Sequence, residues 1–141
     1  MSVTIENTDL TTLQTERLRR LVGRVYARVP FYREAFDAAG VAPADVRTLD
    51  DLRALPFTRK SDLRDHYPFG LLAADMDDVV RVHGSSGTSG KPTVVAYTAT
   101  DIDLWAEVMG RTLSLGGVTR RDIVHNAYGY GLFTGGLGLH G

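Results

Sequence analysis

Cysteine is absent from the 141 residues. That excludes disulfides, thiolate nucleophiles and cysteine-ligated metals. An excess of charge of either sign is missing too. Sixteen Lys and Arg against 17 Asp and Glu leave a formal net charge of −1, so no basic field draws the chain to nucleic acid or to an anionic membrane. No apolar run approaches the roughly 20 residues that cross a bilayer. Residues Met1 to Asn7 lack the basic-then-apolar order of a signal peptide. These absences lead to an expectation of a cytoplasmic protein with neither nucleic-acid nor membrane partners. The length suits one domain, and 43% hydrophobic residues are ordinary for a globular chain.

What is present concentrates in His83-Gly84-Ser85-Ser86-Gly87-Thr88-Ser89-Gly90-Lys91-Pro92-Thr93. Asp78 to Val82 before it and Val94 to Tyr97 after it both read as strands. Glycines let backbone N–H groups turn toward a ligand, and successive inward N–H groups make an anion site. Hydroxyls add donors, and Lys91 adds a mobile positive charge. The string is not a Walker A loop. Five residues separate Gly84 from Gly90 instead of four, and Pro92 directs the chain into an extended segment, not a helix. A phosphate-binding hairpin tip is the expectation, and a ligand-free Gly/Ser turn is the alternative.

The remaining chain supplies punctuation. Thr11 with Gln14 predicts a capping box for a helix whose apolar stripe is Leu13, Leu18, Leu21, Val22 and Val25. Residues 1–10 carry little pattern. Pro30 and Gly40 bracket a second helix, with Phe31, Phe36 and Ala39 expected in the core. Thr48 caps a turn over Leu49 to Ala54, and Thr58 caps a helix from Arg59 to His66. Asp62 and His66 share a helix face, but no third ligand has a matching spacing, so no metal site is assigned. Thr98 or Thr100 caps a helix with Trp105 as core anchor, ended by Gly116-Gly117. Ile123 to Ala127 reads as a strand. In the tail, Tyr128, Tyr130 and Phe133 alternate with glycines. That pattern suits either an apolar slot for a flat ligand or close helix packing through Gly135 and Gly138. The formal G-x-G-x-x-G at Gly136, Gly138 and Gly141 lacks the strand, helix and acid of a dinucleotide site.

Ser85 to Thr93 resembles the phosphate loop of adenylate-forming (AMP-forming) acyl-CoA synthetases. With Val29 to Arg33, Leu55 to Thr58, Tyr67 to Gly70 and Asn126 to Gly138, the chain more closely resembles phenylacetate–CoA ligases, from about Leu18 onward. The resemblance implies an α/β fold: a mainly helical segment over 1–75, then a partial mixed sheet. Residues 76–141 would carry the phosphate hairpin, a helix, a strand and a Gly-rich pocket segment. The whole would be an incomplete N-terminal part of the adenylate-forming fold, without the small C-terminal domain. It implies that Ser85, Ser86, Gly87, Thr88, Ser89, Gly90 and Lys91 hold the β- and γ-phosphates of ATP, with Mg²⁺ bridging phosphate oxygens. Ser89 stands where threonine is more usual. Tyr128 and Phe133 would line an aryl-acid pocket, with Gly135 and Gly136 shaping its wall. Coenzyme A would be the second substrate. No catalytic residue falls within these residues, so the chain alone is expected to complete neither half-reaction. Unpaired sheet edges would favour a homo-oligomer. A stand-alone phosphate- or nucleotide-binding module, and an assembly partner of a separate ligase chain, are the alternatives.

Overall fold

A computed structural model describes residues 7–85, 90, 92–132 and 134–140. The chain divides into two units, 1–59 and 60–141.

In the first unit, α1 (Asn7–Arg28) and α2 (Pro30–Ala38) are separated by Val29 alone. Val29 precedes a proline and is pushed to extended geometry, φ −119°. Its N–H still reaches the Val25 carbonyl at 2.9 Å, and its side chain is fully buried. Arg33 then folds back on the open end of α1, donating to the Tyr26 and Ala27 carbonyls at 3.2 and 2.8 Å. These are carbonyls that the end of a helix leaves without an intrahelical partner. Gly40 ends α2 at φ +66°, the left-handed region open to glycine, and Val41 N–H returns to the Phe36 carbonyl at 3.0 Å. The core is Val22, Phe36 and Val46, with Leu18, Val25, Tyr26, Tyr32 and Leu55 packed around it.

Three sequence expectations change in this unit. Helix α1 begins four residues before Thr11, which lies inside it and accepts from Thr15 Oγ1 at 2.8 Å. Leu21 and Ala39 face solvent, because the stripe that meets α2 runs through Leu18, Val22 and Val25.

The second unit opens with α3 (Lys60–Asp65). Strands β1 (Val79–Gly84) and β2 (Val94–Thr98) form an antiparallel hairpin in which His83 faces Val95 and Gly84 faces Val94. Helix α4 (Ala99–Leu115) is capped by Thr98, not Thr100. Thr98 N–H and hydroxyl both donate to Asp101 Oδ2 at 2.8 Å. Gly117, at φ +88°, ends α4, and Val118 N–H returns to Leu113 at 3.0 Å. The same Thr-x-x-Asp clasp recurs at Thr48–Asp51 and Thr119–Asp122. In both, N–H and hydroxyl donors hold the aspartate below the usual carboxylate range. The strand expected over Ile123 to Ala127 does not form. Among the described residues nothing pairs with it, and Ile123 stands 99% exposed. A short α5 (Thr134–Leu139) follows.

Candidate functional site

The mouth of the β1–β2 hairpin is tied shut. Ser85 N–H donates to the Thr93 carbonyl at 2.9 Å, and Thr93 N–H donates to Ser85 Oγ at 3.0 Å. Ser85 Oγ accepts there, and its own O–H remains able to donate to an anionic oxygen. Gly90 sits at φ +116°, in backbone space that side chains rarely occupy, with open space where a Cβ would be. Ser86, Gly87, Thr88, Ser89 and Lys91 lie outside the described residues.

The strand that carries this mouth touches the glycine-rich tail. Gly84 N–H donates to the Leu132 carbonyl at 2.7 Å, and a Cβ on Gly84 would lie 2.9 Å from Leu132 Cδ2. Glycine is required by that close approach. His83, 2% exposed, places Nδ1 3.3 Å from Thr134 Oγ1. Its ring is 5.3 Å from both Tyr97 and Trp105. Burial pushes the imidazole below its ordinary pKa, and the Arg81 charge adds to this.

The tail is built by close packing. The Tyr128 ring lies over Gly135, where a Cβ would sit 2.7 Å from Cδ1. Gly136 is buried against the Gly129 carbonyl, and Gly138 lies under Trp105. Asn126 holds the turn: Nδ2 donates to the Gly136 carbonyl at 2.8 Å, and Oδ1 accepts from Tyr128 N–H at 3.2 Å. Phe133 lies outside the described residues. Tyr128, Tyr130 and Leu132 remain largely exposed.

The hairpin mouth at Ser85 and the segment from Tyr128 to Gly136 are therefore neighbours. The Ser85 hydroxyl stands at one, exposed aromatic and aliphatic surface at the other. An amphipathic ligand with an anionic end fits that pairing. Sequence reading passed over His83 and Asn126 as functional contributors. For His83 the available signal was a lone titratable residue among the valines of a strand. Elsewhere, His66 Nδ1 meets the Asp62 carbonyl at 2.9 Å. Among the described residues no group of three His, Asp or Glu could hold a metal.

No family model matches the chain. Individual proteins do. Over 138 residues, 98% of its length, it is 59% identical to a phenylacetate-coenzyme A ligase of Thermus thermophilus. The chain is similar to phenylacetate–CoA ligases. The Escherichia coli phenylacetate-coenzyme A ligase is 57% identical over 94% of the chain. The chain spans about 30% of the length of these ligases, 31% and 30% respectively. Among solved structures, a 2-hydroxyisobutyryl-CoA ligase in complex with 2-HIB-AMP and CoA superimposes with a TM-score of 0.87 at 27% identity. That match covers 96% of the chain and 30% of the other protein. The mixed helix-and-hairpin architecture is that of adenylate-forming CoA ligases over this portion. No helix among the described residues is long and apolar enough to cross a membrane.

Proposed function

We propose that these residues form the phosphate grip and aryl-acid pocket of an ATP-dependent, AMP-forming arylacetate–CoA ligase. The observation that carries the reading is the junction of hairpin mouth and tail, where Gly84 N–H meets the Leu132 carbonyl at 2.7 Å. It joins the hairpin mouth to the tail, and that supports the reading, since a reaction between an acid and a nucleotide requires the two held together.

In this reading Ser85, Ser86, Gly87, Thr88, Ser89, Gly90 and Lys91 hold the β- and γ-phosphates of ATP by N–H and O–H donors and one cation. Tyr128 and Phe133 flank the aryl group, and Gly135 and Gly136 shape the wall. The substrate carboxylate attacks the α-phosphorus; the bond to the bridging oxygen breaks and pyrophosphate leaves with the electron pair. The thiol of coenzyme A then attacks the acyl carbon and AMP leaves. The loop's contribution is to orient the polyphosphate and stabilise the charge that develops on the leaving group. Mg²⁺ would ride on phosphate oxygens, neutralising charge there. Its fit rests on phosphate ligands, since among the described residues no group of three His, Asp or Glu could hold a metal. A cytoplasmic location and self-association through the open hairpin edges belong to the same proposal.

Calorimetry with ATP and with pyrophosphate tests it. Binding is expected to weaken at least about tenfold in Lys91→Ala and in Gly87→Val, as loss of a charge-assisted contact implies. Absence of binding by the unsubstituted chain, or equal binding by both variants, contradicts it. Purified alone, the 141 residues are expected to show no phenylacetate-dependent ATP–pyrophosphate exchange. Binding without exchange also fits the alternative of a stand-alone nucleotide-binding module. Binding of phenylacetate to the tail would decide for the ligase.

A further inference from the structure

Two side chains of β1 reach the short helix of the tail. Arg81 and His83 alternate along the strand and so share a face. The Arg81 guanidinium donates to the Leu137 carbonyl at 3.3 Å, and His83 Nδ1 meets Thr134 Oγ1 at 3.3 Å. Thr134 and Leu137 are three apart in α5 and lie on one side of it. Trp105 closes the arrangement: its indole lies 2.7 Å from where a Gly138 Cβ would be and 5.3 Å from the His83 ring.

His83 is costly to keep in this place. It is 2% exposed, and its Nε2 has no hydrogen-bond partner among the described residues. A buried polar atom left unpaired costs free energy that an apolar residue of similar size would avoid. A valine or leucine would fill the same strand position and still pack against Tyr97 and Trp105. The one thing the imidazole adds is the bond to Thr134, and Thr134 begins the helix that follows the aromatic segment. On the other side of His83 in sequence come Gly84 and Ser85, the mouth of the phosphate hairpin.

We propose that His83 is a positioning residue that, through Thr134, locks the hairpin mouth at Gly84 and Ser85 to the tail so that the two move as one body. Its functional meaning rests on the ligase reading above; the coupling itself does not. The hydroxyl of Thr134 is the contact on which the lock depends, and Arg81 with the Leu137 carbonyl is its second point. Loss of the hydroxyl releases Leu132, and with it the Gly84 N–H bond beside the mouth.

Amide hydrogen exchange on the ligand-free 141-residue chain tests this without requiring any ligand to bind, so failure of the ligase reading and failure of the lock are separable. Thr134→Val keeps the shape and removes the hydroxyl; Thr134→Ser keeps the hydroxyl. The lock predicts exchange at Gly84 and Ser85 roughly five- to tenfold faster in Thr134→Val, the loss of about one net hydrogen bond. Amides of α4 should be unchanged, and Thr134→Ser should restore the original rates. The ¹⁵N shift of His83 Nδ1 should move in Thr134→Val and return in Thr134→Ser. Unchanged rates at Gly84 and Ser85 would overturn the proposal. So would a uniform acceleration that includes α4, which marks a general loss of stability, or a failure of serine to rescue.

Discussion

The two units bury different things. Every apolar side chain that is fully buried among the described residues, Val22, Val29, Phe36 and Val46, belongs to residues 1–59. In residues 60–141 the buried positions are His83, Gly84 and Gly136, while Val80, Leu104, Val108, Ile123 and Leu132 are more than half exposed. The first unit is held by area removed from water. The second is held by contacts at particular atoms: glycines against a carbonyl or a ring, an imidazole against a hydroxyl, an asparagine against a backbone turn. Area-driven packing tolerates exchange of one aliphatic for another of like volume. Contact-driven packing does not, because a single added methyl or lost hydroxyl removes the reason for the geometry. A binding site needs the second kind.

The largest expected effect lies in the first unit. Phe36→Ala removes the ring that contacts Tyr26 and Tyr32 at 6.2 Å and should cost about 3–5 kcal/mol in chemical denaturation. A cost under about 1 kcal/mol would show that residues 1–59 do not depend on that core. The second unit should respond instead to the smallest possible change. Gly136→Ala puts a methyl 2.5 Å from the Gly129 carbonyl oxygen and should cost about 1–3 kcal/mol by overpacking against backbone. Gly129→Ala, with nothing within 4 Å of its Cβ, should stay within about 0.5 kcal/mol. Equal effects from the two alanines would erase the distinction between units.

A smaller effect is expected from pH. The native His83 imidazole titrates below its ordinary 6.5 because it is buried, with Arg81 adding to the shift. The folded chain therefore binds fewer protons at that site than the unfolded chain. Stability from this site is complete above 6.5 and is lost as pH falls through 6.5 toward the native value. Of the groups facing it, Tyr97 stays protonated in that window, its own pKa raised by burial. Denaturation midpoints taken downward through this range should fall, and the slope should flatten in His83→Gln. A midpoint that rises on acidification would contradict the assignment.

Much of the frame was legible because it is written in short-range chemistry. Pro30, Gly40, Thr48, Thr98 and Gly116-Gly117 marked boundaries that the backbone obeys, since caps and turns depend on residues three or four apart. The hairpin around Ser85 was legible for the same reason. What escaped depends on distant partners. Ile123 to Ala127 has strand composition, but a strand needs a neighbour, and none pairs with it among the described residues. Leu21, Leu104 and Val108 fit a helical stripe, yet which edge of a stripe is covered is decided by what packs there. The His83–Thr134 contact joins residues 51 apart and leaves no local trace. For the glycines, composition raised close packing alongside a ligand slot. The rings over Gly135 and Gly138 supply the close contacts, and the slot is the part that ligand binding must test.

The most direct test of the central claim, that hairpin and tail form one amphipathic binding site, is a two-dimensional ¹H–¹⁵N NMR titration of the chain with pyrophosphate and then with phenylacetate. The account predicts that pyrophosphate shifts the amides from Gly84 to Thr93 and that phenylacetate shifts those from Asn126 to Gly138, with α1 and α2 unmoved. Shifts confined to residues 1–59, or no shift from either ligand at saturating concentration, would contradict it.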